Sequence, residues 1–228
     1  VRRFLVDSFP AAVWTCRRQL LASTILFWGT GVVVALVLWQ SPDRLDLVLT
    51  DSAQEVYVEQ DFVAYYSENP SIVFFSRVTT NNILVSVLAF ALGALGAVPG
   101  AYILFQNGAV FGAVAALFLQ RGELGSVFLP YVLPHGLLEL TAITVAGAAG
   151  LRVGWTLFVP GDRSRPRALG EEGRRSVVIV LGTALAFLVA GLIEGFVTGA
   201  PVVPPALKVI IGVVAWVGYL VWILGRGR

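Results

Sequence analysis

From Ser176 to Thr198 the chain runs through 23 residues with a single ionisable side chain, Glu194. Similar runs recur at Leu20 to Trp39, Ile83 to Phe105, Leu124 to Leu151 and Ala206 to Leu224. About 20 apolar residues suffice to carry a helix across a ~30 Å hydrocarbon core. Inside that core only helices and closed barrels keep every backbone N–H and C=O bonded. Runs this long and this apolar therefore predict an all-α protein, a polytopic transmembrane helical bundle. Composition agrees: 57% of residues are hydrophobic and 13% are charged, where a soluble domain has about 25% charged. The mean hydropathy is +0.82.

Taken in order, residues 1–19 form a basic lead-in with Arg2, Arg3, Arg17 and Arg18 against Asp7, and Pro10 suits a helix start. The lone Cys16 has no partner for an intrachain disulfide and reads as a buried thiol. The chain starts at Val1 and has no methionine, which predicts an upstream soluble part, and no cleavable leader pattern is present. Residues 20–40 hold the first span, with Trp39 as an interfacial anchor. Residues 41–80 carry seven acids against Arg44 and Arg77, a net charge of −5. Ser52-Ala53-Gln54-Glu55 has the capping-box pattern, so a short helix is expected there, with Val56, Phe62, Val63 and Tyr66 on its apolar side. Ile72 to Val78 is expected to lie in the interface, and the whole segment to close the bundle.

Residues 81–151 are expected to hold spans two to four, with broken or re-entrant helices. Asn81-Asn82 leads into the second, Pro99-Gly100 predicts a kink, and Gln106-Asn107-Gly108 predicts a turn. Ala109 to Gln120 is short for a crossing, and Pro130 and Pro134 interrupt the fourth. Residues 152–175 form a basic loop, six arginines against Asp162, Glu171 and Glu172. Residues 176–228 supply the last two spans and a basic tail. The excess of arginine places both termini and the 152–175 loop in the cytoplasm, with the acidic 41–80 loop outside. Six crossings satisfy that arrangement; four with re-entrant pieces satisfy it too.

Glycines recur four apart at Gly96/Gly100, Gly108/Gly112, Gly150/Gly154 and Gly191/Gly195/Gly199. Small residues let helices approach closely where lipid offers no hydrophobic drive. The spacing is compatible with packing inside the chain and with a homodimer alike.

The polar centre of the sequence is Pro134-His135-Gly136-Leu137-Leu138-Glu139. It holds the only histidine and one of two acids deep in apolar sequence, the other being Glu194. An ionisable side chain at mid-bilayer costs roughly 2.5–3.5 kcal/mol on insertion scales and therefore faces a bundle interior or a functional path. His135 and Glu139 are four apart and share a helix face. A helix restarted at Pro134 would direct free N–H groups toward them. Asn81 and Asn82 should lie at the outer level beside Glu194 and Thr198, and Asn107 near the inner one. Three chemistries are open. A metal site would use His135, Glu139 and Glu194, but one histidine without a usable cysteine is a poor set for zinc, so no metal is expected. Proton or ion handling by the histidine and the two acids is the second. The third, favoured here, is a satisfied buried network that fixes how the spans pack.

Asn81-Asn82 before a glycine-rich span, Phe105-Gln106-Asn107-Gly108 with Gly112, Pro134-His135-Gly136-x2-Glu139-Leu140, and Ala190-Gly191-Leu192-Ile193-Glu194-Gly195-Phe196-x-Thr198 occur in that order. In this the chain resembles stage II sporulation protein M-like integral membrane proteins, over nearly its whole length. It departs at Gly199-Ala200, which intervene before Pro201. The resemblance implies a bacterial cytoplasmic-membrane protein. Sporulation members of that family act in an envelope complex that localises peptidoglycan-degrading proteins, and many others accompany AAA-type ATPase systems. The expected partners are accordingly the lipid bilayer and other envelope membrane proteins; no cofactor and no nucleic acid is expected. The expected role is a non-enzymatic scaffold or assembly component. A transporter or channel is the alternative, and an intramembrane hydrolase using His135 and Glu139 is the third.

Overall fold

The computed structural model describes residues 2–47, 50, 54, 57, 58, 62 and 71–225, and of 71–79 the backbone alone. The described residues are helical almost throughout, with no strand among them. The helices are α1 (Phe9–Thr15), α2 (Arg17–Trp39), α3 (Pro42–Asp46), α4 (Ser71–Ala94), α5 (Val98–Gln120), α6 (Leu124–Phe158), α7 (Arg165–Thr198) and α8 (Pro205–Gly225). Five of these, α2, α5, α6, α7 and α8, are long and apolar enough to cross a membrane, and α4 contains the shorter apolar helix Thr80–Ala94. The expected multi-pass, all-α bundle is therefore present.

Its interior is organised by α6, which packs against α7, α4, α8 and α2. In its most apolar window 72% of residues are buried, against 17% in α2 and 22% in α8. The physical reason is in its sequence: α6 carries Ala142, Ala146, Gly147, Ala148, Ala149 and Gly150, whose small side chains let neighbours approach from several sides. Around it Phe9, Leu104, Leu138, Ile179 and Phe187 form the main core. At one end of the bundle Leu45, Val58 and Phe62 pack on Leu117, Phe118 and Phe128. The described part of the acidic segment thus covers the ends of α5 and α6. The capping-box residues Ser52, Ala53 and Glu55, together with Val56, Val63 and Tyr66, lie outside the described residues. At the opposite end the last helix meets the start of the described chain, Trp222 donating to the Leu5 carbonyl at 2.6 Å.

Five boundaries differ from expectation. Ser71–Ala94 is one helix, so Asn81-Asn82 lies in mid-helix and residues 72–78 are no separate interfacial piece. The chain reverses instead at Gly96-Ala97, where φ is +147° and +68°, and Pro99 sits in the first turn of α5 rather than kinking a span. Residues Gln106-Asn107-Gly108 are interior to α5, which makes one full helix of 23 residues where a turn and a short segment were expected. Finally α6 runs unbroken through Pro134. The basic loop likewise shrinks to the few residues between Phe158 and Arg165, and most of its arginines ride on helix ends.

Packing explains why the turn signal at Gly108 is overridden. A Cβ on Gly108 would run into the Phe27 backbone, and one on Gly112 into the Gly31 carbonyl, so this pair is where α5 lies against α2. Gly150 and Gly154 do the same for α6 against α4, at Phe90 and Gly93. Gly100 packs on Gly93, whereas Gly96 belongs to the turn and not to the same helical face. Gly212 of α8 meets the Pro134 backbone, placing a neighbour beside the proline. Gly191 and Gly195 are buried within the chain.

Candidate functional site

Because α6 is continuous, His135 and Glu139 fall on one face, four residues and about one turn apart. That face is turned toward α7, whose final turn, Glu194–Thr198, is π-helical. Phe4–Ser8, Ile25–Gly29 and Leu124–Phe128 are π-helical too, so the turn alone does not mark a site. Across the contact His135 Nε2 lies 3.3 Å from Glu194 Oε1, and His135 Nδ1 lies 3.2 Å from Thr198 Oγ1. On the other side Asn82 Nδ2 of α4 donates to Glu139 Oε2 at 2.5 Å. All three ionisable groups are buried, with exposures of 5%, 2% and 1% for His135, Glu139 and Glu194.

These side chains line a chamber of about 290 Å³ together with Asn81, Asn107, Gly136, Phe62, Phe111 and Phe128. Asn107 therefore shares the level of Asn81 and Asn82, against the expectation of a separate inner level. Its amide donates to the Ile103 carbonyl of its own helix at 2.8 Å. Gly136 faces the chamber at a place where a Cβ would press Val132 Cγ1 at 3.0 Å. A larger cavity of about 430 Å³ lies between α2, α6 and α8, but it is lined by Leu20, Trp28, Leu137, Trp216 and similar groups with no ionisable side chain. The smaller chamber is the one with chemistry.

The expected satisfied network is only partly realised. Glu139 Oε1 and Glu194 Oε2 are buried and have no hydrogen-bond partner among the described residues. Leaving a buried polar atom unpaired costs about 1–3 kcal/mol, and more if it is charged. His135, Glu139 and Glu194 each bring one ligand-capable atom within 4.8 Å of the others. Among the described residues they are the group that could hold a metal ion, and no Ser or Cys lines the chamber.

Two residues with a place in this picture were missed from sequence. Lys208 sits near the start of the last apolar run. It is buried and donates to the Thr198 carbonyl at 2.6 Å, with Nζ 5.4 Å from the Tyr131 ring centre. The signal available was its position three residues after Pro205, facing the end of α7 across a short turn. Glu172 is 1% exposed and binds Arg152, Arg163 and Arg175 at 3.2, 3.5 and 3.2 Å. It was counted among loop charges because the helical start of α7 at Arg165 was not foreseen. Cys16 is buried as expected, and burial raises its thiol pKa above the ordinary range.

Comparison with known proteins adds one finding. No curated protein and no solved structure matches the chain. The family profile described as Stage II sporulation protein M matches residues 23–199. That stretch runs from α2 to just past the π turn of α7 and takes in every described residue that lines the chamber. The chain belongs to the stage II sporulation protein M family.

Proposed function

We propose that this chain is a non-enzymatic scaffold or assembly component of a bacterial cell-envelope complex. It lies in the cytoplasmic membrane with both termini inside. One observation carries the reading: a run of polar contacts ties four helices together at one end of the bundle. Asn82 of α4 holds Glu139 of α6, His135 of α6 meets Glu194 and Thr198 of α7, and Thr198 is held by Lys208 of α8. Such a chain fixes register among spans that lipid alone would not hold in place. In that role it keeps company with other envelope membrane proteins, in a complex served by an AAA-type ATPase.

A second reading, passage of protons, ions or a small substrate, is favoured by the two unpaired carboxylate oxygens at the chamber. The experiment that separates them is reconstitution of the purified chain in liposomes, with proton and cation flux measured, alongside crosslinking in native membranes. Crosslinks to envelope proteins without flux support the scaffold. Flux abolished by Glu139→Gln supports passage and overturns it.

A further inference from the structure

We propose that His135, Glu139 and Glu194 form a binding site for one divalent metal ion of the zinc class. The inference does not depend on whether the chain scaffolds a complex. His135 Nε2 lies 3.3 Å from Glu194 Oε1, and its other ring nitrogen, Nδ1, lies 3.2 Å from Thr198 Oγ1.

The geometry around the pair suits a cation. For ligand bonds of about 2.1 Å in a tetrahedral shell, neighbouring ligand atoms lie about 3.4 Å apart. His135 Nε2 and Glu194 Oε1 already have that separation, at 3.3 Å. Glu139 completes the trio within 4.8 Å, so its carboxylate has to swing inward by roughly an ångström, within reach of one side-chain rotation. Two carboxylates neutralise a dication. The oxygens without partners, Glu139 Oε1 and Glu194 Oε2, are then available as ligands. Thr198 takes the outer role common to metal-bound histidines, accepting from the ring nitrogen that faces away from the ion. Asn82 does the equivalent for Glu139 by holding Oε2 at 2.5 Å.

Imidazole with two carboxylates is a nitrogen–oxygen set, which suits zinc and its neighbours in the first transition row. Calcium takes six to eight oxygens and magnesium keeps most of its waters, and neither favours an imidazole ligand. From sequence, one histidine without a usable cysteine counted against zinc; the packed helices add the 3.3 Å approach of Glu194 to His135 Nε2.

The test uses the full chain in detergent, stripped with chelator and then given Zn²⁺ alone. Expected is binding of about one Zn²⁺ per chain with a raised unfolding temperature. X-ray absorption should show only nitrogen and oxygen neighbours. Glu139→Gln and Glu194→Gln should lose the binding, and Thr198→Val should weaken it by about tenfold. The proposal is overturned by a wild-type chain that neither retains Zn²⁺ nor shifts its unfolding temperature. It is overturned equally by sulfur in the zinc shell, which would place the ion at Cys16, or by undiminished binding in both glutamine variants. Should the variants fail to fold, the wild-type stoichiometry and zinc neighbours decide alone.

Discussion

His135 of α6 stands 3.3 Å from Glu194 of α7, and the same imidazole reaches Thr198 one turn further on, at 3.2 Å. One side chain thus reads both ends of the π turn that closes α7. Any change that tilts α7 against α6 is felt at this contact first.

Glu139 separates a structural cluster from a working one. Glu139→Gln keeps shape and a hydrogen bond to Asn82, whereas Glu139→Leu leaves the half-buried Asn82 without its partner on α6. The leucine variant should lose about 1–3 kcal/mol of stability. If the cluster only fixes packing, the glutamine variant should complement a deletion strain normally; loss of complementation in a folded protein would point to ion or proton chemistry. Thermal unfolding and complementation, run side by side, give the answer.

Glycine at the α2–α5 contact is required by space. Gly112→Ala places a methyl against the Gly31 backbone and should destabilise the bundle by about 1–3 kcal/mol. Gly218→Ala, at an exposed position where a Cβ meets nothing within 4 Å, should be neutral or slightly stabilising. Equal unfolding temperatures for the two variants would contradict the packing described for α2 and α5.

The buried Glu172 should matter more than its place in a basic stretch suggests. Its three arginine partners are partly exposed and can rehydrate, so Glu172→Ala should cost about 1–3 kcal/mol rather than the full toll of a stranded charge. Glu171→Ala, whose carboxylate is 28% exposed, should cost less than about 1 kcal/mol. Chemical denaturation in mild detergent would rank them.

Cys16 should be inert in the folded chain. Burial raises its thiol pKa, so the thiolate appears only at a pH above that of an ordinary cysteine. Iodoacetamide at pH 8 should therefore modify the folded protein slowly and the denatured protein fast. Equal rates would mean that the α1–α2 junction is open.

Topology rests on arginine distribution and has a direct check. Cysteines placed at Asp43 and at Arg165, both exposed, should react with a membrane-impermeant maleimide from opposite sides, the first from outside. Labelling from one side would reverse the assignment of the basic end to the cytoplasm.

The membrane class and the helical fold were legible in the sequence, and so was the place of His135, Glu139 and Glu194 as rare ionisable groups deep in apolar runs. The reason is that the bilayer penalises charge and unpaired backbone residue by residue, so long apolar runs and their rare polar exceptions are local facts. Where helices stop was less legible. Asn81-Asn82 and Gln106-Asn107-Gly108 look like boundaries, yet Asn82 has a partner on α6 and Gly108 has a helix pressed against it. Polar and glycine residues stay inside a helix when a neighbour occupies the face they offer, and which neighbour comes is a tertiary matter. Pro134 behaves the same way, continuing α6 with Gly212 of α8 packed on its backbone. Only the packed bundle decided that Lys208 turns inward to Thr198, that Glu172 is buried among arginines, and that two acids from different helices face one imidazole. Each of these contacts joins helices that are separate in the sequence, and its energy depends on distances that no local pattern specifies.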